Sequence, residues 1–191
     1  MPAHLILGGA RSGKSRYAET LAAQSALPVT LIATAQALDA EMAQRIAHHR
    51  QHRPAHWQVI EEPIALAHTL RPLLCAPRLI LIDCLSLWLA NLLADWQPAA
   101  PDAPPAPPPA GLSQQTDALL ELLPTLPAHV QLLLVANEVG LGLVPETPLG
   151  RLYRDEAGRL NQRLAAACER VSLLVAGLPL AIKGDASGAP A

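Results

Sequence analysis

Short, almost purely apolar runs alternate with stretches of mixed polarity along this 191-residue chain. The runs are Leu5–Leu7, Val29–Ala33, Leu79–Ile82, Val130–Val135 and Val171–Ala176. Near-continuous Leu, Ile and Val suit strands buried on both faces, whereas a strand with one wet face would alternate. Between the runs, the spacing predicts helices over about 14–25, 39–51, 64–74, 113–123 and 148–169. Strand and helix in alternation predict an α/β fold with a mainly parallel central sheet flanked by helices. A last run, Pro179–Lys183, is expected to return antiparallel beside Val171–Ala176 as an edge strand, with Gly177–Pro179 as the turn.

Residues 1–183 read as a single domain, since this length carries one real core and is short for two. Gln97–Gly111 holds seven prolines, too many for helix or strand, and reads as an extended, exposed connection. Residues 184–191 read as a loose, flexible tail. No apolar run approaches the ~20 residues that cross a bilayer, and the opening MPAHLILGG lacks a secretory signal's charged start and cleavage site. The expected location is cytoplasmic, with no membrane partner. Cys75, Cys84 and Cys168 are odd in number and widely spaced, which yields neither a disulfide framework nor a zinc knuckle, and they read as buried small apolar residues. A net charge of −2 and 3% aromatics argue against a nucleic-acid surface. The expected partners are small molecules.

The densest chemistry follows the first apolar run. Gly8, Gly9, Ala10, Arg11, Ser12, Gly13, Lys14 and Ser15 fit the phosphate-binding pattern G-x-x-x-x-G-K-[ST] between a strand and a helix. Gly8 and Gly13 free the backbone to aim successive N–H groups at a triphosphate, Lys14 reaches its outer oxygens, and Ser15 ligates Mg²⁺. The pattern makes the α/β fold P-loop NTPase-like. Asp83, a carboxylate ending the run Leu79–Ile82, is the expected second support for Mg²⁺, although an Asp there also suits a helix cap before Leu85. Ser86 and Asn91 lie close by, but nothing in the spacing requires them at the site.

Three histidines and three arginines crowd Arg45–Arg53 near the end of a predicted helix. Arg45, His48, His49 and His52 share one face at i+3 and i+4 spacing. Three readings stay open on spacing alone: a solvated basic helix end, a zinc site from His48 and His52, or a histidine nucleophile flanked by arginines that neutralise phosphate. Asn137–Glu146 follows a strand at the same sheet edge as the phosphate loop; Glu138 either holds a substrate hydroxyl or metal, or serves a turn. The helix with Arg151, Arg154, Asp155, Arg159, Asn161 and Arg163 reads as a solvated or subunit-facing surface with pairs such as Arg151–Asp155.

These segments together resemble the bifunctional adenosylcobinamide kinase / adenosylcobinamide-phosphate guanylyltransferase family. The resemblance runs from about Leu5 to Lys183 and is carried by GGARSGKSRYAE, IATAQALDAEMAQRIAHHR, RPAHW, NEVGLGLVPE and YRDEAGRLNQRLA. It implies phosphorylation of the aminopropanol hydroxyl of adenosylcobinamide by GTP or ATP, then transfer of GMP from GTP to the new phosphate. It further implies that His48 carries the covalent guanylyl group, and that Thr34, Ala35, Gln36, His49, Arg50, Gln51, His52, Glu61 and Asp83 fall on positions associated with GTP binding. A homotrimer with nucleotide sites near subunit contacts is implied as well. The proline-rich stretch matches no family motif, and no motif supplies a kinase base. The rival readings are a simple P-loop small-molecule kinase, a regulatory GTP switch without the N-K-x-D guanine motif, and a structural ATPase subunit.

Overall fold

Every apolar run becomes a strand. The computed structural model describes residues 3–40, 42–44, 46–47, 54–97 and 107–184. Its strands are β1 (Ala3–Gly8), β2 (Val29–Ala33), β3 (Gln58–Glu61), β4 (Arg78–Asp83), β5 (Val130–Asn137), β6 (Arg170–Val175) and β7 (Leu178–Lys183). They form one seven-stranded sheet in the order β3-β2-β4-β5-β1-β6-β7. All neighbours are parallel except β6 and β7. The expected parallel sheet with an antiparallel edge is thus what the chain forms. β3 is an addition: Gln58-Val59-Ile60-Glu61 carries no continuous apolar run because it lies at the sheet's outer edge and is largely exposed.

The helices are α1 (Lys14–Gln24), α2 (Leu66–Leu70), α3 (Leu85–Leu92), α4 (Ala110–Leu122) and α5 (Pro148–Ala167). A 3₁₀ turn over Arg71–Cys75 continues α2, with Pro72 in its first turn. Pro109 sits at the N-cap of α4, so that helix starts earlier than the sequence pattern suggests and takes Ala110 and Gly111 from the proline-rich stretch. Of the predicted 39–51 helix, Ala40, Met42, Ala43, Gln44, Ile46 and Ala47 are helical. His48, His49, Arg50, Gln51 and His52 lie outside the described residues, as do 98–106 and 185–191.

Strand periodicity divides the core. Ile80, Ile82, Leu132 and Leu134 pack with Leu66, Leu85, Trp88, Leu119, Leu160 and Leu164, so α2 to α5 cover one sheet face. Leu79, Leu81, Leu133 and Val135 point the other way and pack with Tyr17, Ala18 and Ala22 of α1. Fully buried Trp88 also donates its indole N–H to the Ile64 carbonyl at 2.7 Å.

The β6–β7 turn is formed by Ala176 and Gly177, both at positive φ, with Val175 paired to Leu178. Two left-handed residues match the twist of a tight hairpin, which places the turn before the expected Gly177–Pro179. The cysteines split three ways: Cys168 is buried, with its thiol pushed up to about 12 by burial, Cys84 is half-buried, and Cys75 is exposed, against the expectation that all three are core residues. Cys75 ends up outside because it closes the surface 3₁₀ turn, where its thiol lies 3.1 Å from the Pro72 carbonyl. No helix among the described residues is long and apolar enough to cross a membrane.

His4 is buried in β1, with Nε2 2.8 Å from Ser172 Oγ and its ring edge-on to Tyr17. Burial, with a smaller contribution from Arg170, lowers its pKa to about 4. The unfolded chain therefore takes up the proton first, near pH 6.5, and the contribution of neutral His4 is intact above that pH and lost as pH falls towards 4. Urea titrations from pH 7 to 4 should show the native chain losing up to about 3 kcal/mol more than His4→Gln. Parallel pH profiles for the two would contradict this.

Candidate functional site

The C-terminal ends of β1, β5, β4 and β2 lie side by side. Gly8 is level with Asn137, Asp83 with Val135, and Ala33 with Asp83. Polar groups that follow these strands therefore converge on one edge of the sheet, where ligands bind in parallel α/β folds.

The phosphate loop is built by close approach. A Cβ on Gly8 would come within 2.5 Å of Ser12 Oγ and 2.7 Å of the Leu174 carbonyl. Gly13 adopts φ 96°, and a Cβ there would lie 3.1 Å from the Gly177 α-carbon, so a side chain meets both strain and contact. The Gly177 N–H donates to the Ser12 carbonyl at 2.9 Å, tying the loop to the β6–β7 turn. Arg11 is also left-handed, at φ 56°. Ser12 Oγ is buried without a hydrogen-bond partner among the described residues. An orphaned hydroxyl amid the loop's amides is a site for an anion's oxygens.

Lys14 opens α1 and is buried, its ammonium donating to the Gly9 carbonyl at 2.6 Å. Burial pulls its pKa below the usual value, against the upward pull of Cys84 and Asp83. Ser15 Oγ donates to Asp83 Oδ1 at 3.3 Å, bringing together the two residues assigned to the cation. The two oxygens suit a hard cation that keeps several waters.

Thr34 is fully buried and does not line the cleft. Its hydroxyl donates to the Cys84 carbonyl at 2.7 Å and accepts the Cys84 N–H at 3.0 Å. Asn91 donates from Nδ2 to the carbonyls of Thr34 and Pro63 at 2.8 and 3.1 Å. Thr34 and Asn91 are braces that fix the ends of β2 and β4 beside Asp83. Burial pushes the Cys84 thiol up, aided by Asp83.

A cleft of about 970 Å³ runs along this edge. Its floor is Ala10–Arg16 of the loop and helix start, and its walls include Ala33, Ala35, Glu61, Asp83 and Cys84. Met42, Gln44 and Ile46, from the helical residues after β2, close one side. Gln36 is exposed and outside the lining. That volume is at the upper end of the range for small-molecule and cofactor sites.

The opposite wall is only partly legible in the sequence, which puts Ser86 and Asn137 near this edge but does not single out Tyr153. Ser86, Asn137 and Tyr153 line the cleft. The Asn137 N–H donates to Ser86 Oγ at 2.6 Å, Asn161 Nδ2 donates to the Asn137 carbonyl at 3.1 Å, and the Tyr153 hydroxyl donates to the Ser86 carbonyl at 3.1 Å. Burial raises the Tyr153 pKa, so the phenol stays a donor. Tyr153, Ala157 and Asn161 follow i+4 spacing along the inward stripe of α5, and that regularity within an otherwise charged helix was the available signal. The expected Arg151–Asp155 pair does not form: Arg151, in the first turn, donates to the carbonyls of Pro145 and Glu146, and Asp155 pairs with Arg154. Glu138 accepts the Gly140 N–H at 2.7 Å and is not part of the cleft lining, which favours the turn role over a substrate contact.

The family model for cobinamide kinase / cobinamide phosphate guanyltransferase matches residues 4–182. The bifunctional adenosylcobalamin biosynthesis protein CobP of Pseudomonas aeruginosa is 55% identical over 181 residues, covering 95% of this chain and 97% of that protein. The bifunctional adenosylcobalamin biosynthesis protein CobU of Escherichia coli K12 is 42% identical over 188 residues, covering 94% and 98%. Among solved structures, the type III secretion ATPase EscN of enteropathogenic E. coli superimposes with a TM-score of 0.55 at 13% identity, over 92% of this chain and 43% of that one, a likeness of fold alone.

Thr34→Val keeps the shape of the brace but orphans the backbone N–H of Cys84, whose carbonyl still accepts from Trp88. Denaturant unfolding should register a loss of about 1–3 kcal/mol, and titration with GTP should show weaker binding as the end of β4 loosens. Unchanged stability would remove the brace from the account.

Proposed function

This chain belongs to the cobinamide kinase / cobinamide phosphate guanyltransferase family, and from that premise we propose that its two activities share one triphosphate cradle and proceed through a guanylyl group on His48. The chain is an enzyme that phosphorylates adenosylcobinamide and then transfers GMP to the resulting phosphate. Residues 1–183 act as one catalytic unit.

In the first step the aminopropanol hydroxyl of the corrinoid attacks the γ-phosphorus of ATP or GTP. The new O–P bond forms as the bond to the β-phosphate oxygen breaks, and the hydroxyl proton passes to solvent. Phosphoryl transfer of this kind relies on positioning and charge neutralisation more than on a strong base. Lys14 and the N–H groups of Gly8 to Ser15 hold the outer phosphates. Ser15 and Asp83 would hold Mg²⁺, which offsets charge on the β and γ oxygens.

In the second step a neutral His48 nitrogen attacks the α-phosphorus of GTP, and pyrophosphate leaves. The phosphate of the substrate then displaces the imidazole, breaking the P–N bond and delivering GMP. Two displacements replace one between two anions. His49, Arg50, Gln51 and His52 take the guanylyl group's charge and base, together with Ala35 and Glu61 of the cleft lining, while Thr34 acts from behind as a brace. The single observation that supports this reading is the cleft wall: Met42, Gln44 and Ile46 line it, and Ile46 is two residues ahead of His48. We read the enzyme as a cytoplasmic homotrimer, for which exposed Val175, Leu178, Leu180 and Ile182 on the β6–β7 hairpin offer apolar surface.

Incubation with GTP labelled at the α-phosphorus should give a protein adduct that is labile in acid and stable in base, in a preparation with the mass of three chains. His48→Asn should abolish the adduct and keep kinase turnover. Normal labelling of His48→Asn would sink the nucleophile and leave the simple kinase as the better reading.

A further inference from the structure

Most polar groups at this sheet edge are already engaged. Lys14 reaches Gly9, Ser15 reaches Asp83, Thr34 and Asn91 hold backbone, and Ser86 accepts from Asn137. Asn137 differs. Its N–H and C=O are both taken, by Ser86 and Asn161, yet its side-chain carboxamide has no hydrogen-bond partner among the described residues. It is half-buried and lines the cleft with Lys14, Ser15 and Asp83.

The register shows where that amide stands. Leu133 and Val135 belong to the core cluster on the α1 side of the sheet, whereas Leu132, Leu134 and Ala136 belong to the opposite cluster. Asn137 continues the first series, on the side from which the loop leads into Lys14. It pairs with Gly8, the first residue of the loop, and Val135, one pleat repeat back, pairs with Asp83. The carboxamide therefore stands between the loop and the cation acid, about 7 Å beyond the level of Asp83. Its main chain is clamped on both sides, so little further ordering is needed when it meets a ligand. Its two N–H donors and one acceptor require partners once a substrate displaces water.

We propose that Asn137 is a catalytic residue of the kinase step: its Nδ2 amide donates to a terminal phosphoryl oxygen of the nucleoside triphosphate seated in the loop, and that bond strengthens as the group passes to the acceptor hydroxyl. This rests on the two-activity reading above. The bond that forms joins the acceptor oxygen to the γ-phosphorus, and the bond that breaks frees the nucleoside diphosphate. Asn137 gives up no proton and serves as a fixed dipole where charge redistributes. Guanylyl transfer is different, because its attack falls on the α-phosphorus and the outer two phosphates leave still joined. Charge at the terminal phosphoryl group changes little in that step, so Asn137 matters less to it. Ser86 and Asn161 are positioning residues, acting on the Asn137 backbone.

The test measures both half-reactions on full-length Asn137→Ala and Asn137→Asp. Removing one preorganised donor should lower kinase kcat about 100-fold. The nucleotide KM and the rate of adduct formation from α-labelled GTP should each stay within about threefold of the native enzyme. Asn137→Asp should lose more kinase turnover than Asn137→Ala, because a carboxylate repels the phosphoryl oxygens. The melting temperature should hold in Asn137→Ala, since both backbone hydrogen bonds persist; a purely structural role would instead lower it and slow both half-reactions alike. Equal losses in the two half-reactions, a change in KM alone, or native kinase kcat in both variants would each overturn the proposal. A native enzyme with no kinase turnover would instead sink the two-activity reading and take this proposal with it.

Discussion

The site depends on how closely the backbone of Gly8 to Gly13 packs against the strand beside it. At Gly8 there is no room for a Cβ between Ser12 and Leu174, and at Gly13 the chain turns left-handed against Gly177. This contact, with the hydrogen bond from Gly177 to Ser12, fixes the loop relative to β6 and the hairpin turn. On the other side the Glu138 N–H donates to the Gly8 carbonyl at 3.0 Å, which fixes the loop's start relative to β5. The amides at the start of α1 are thereby preorganised, and the helix adds the partial positive charge of its N-terminus.

From that anchor the rest of the cleft is assembled by side chains that brace the backbone. Thr34 and Asn91 join the ends of β2 and β4, and Ser86, Tyr153 and Asn161 join α3 and α5 to the end of β5. A triphosphate held this way offers two electrophilic phosphorus atoms to different partners. On the proposed reading the outer one is attacked by the acceptor hydroxyl and the inner one by His48, so that one anchored ligand would serve both reactions.

The sequence was legible where a physical requirement admits few residues. A phosphate loop needs its glycines and its Lys-Ser pair, and strands buried on both faces need unbroken Leu, Ile and Val, so the loop and all strands but β3 could be read directly. β3 escaped because an edge strand makes one ladder only and tolerates Gln58 and Glu61. α3 shows only in its start after Asp83, because Leu85–Leu92 is so apolar that its helical period is masked. On sequence the Asn161 helix reads as a solvated or subunit-facing surface and Tyr153 has no role in the cleft, because the charges of α5 advertise its outer face and the inner stripe matters only once the partner strand is known. Thr34 could be associated with the site, but its role as a brace requires knowing that Cys84 lies across from it.

The account's central claim is that one cradle serves both reactions. Its most direct test is Lys14→Ala, assayed for phosphorylation of adenosylcobinamide and for guanylyl-adduct formation at matched GTP, with the melting temperature as a check on folding. The account predicts that both rates fall together, by about 100-fold or more, because each transition state loses the same buried ammonium. A folded variant that still forms the adduct at the native rate would contradict it, and would mean that GTP for guanylyl transfer binds somewhere other than the loop.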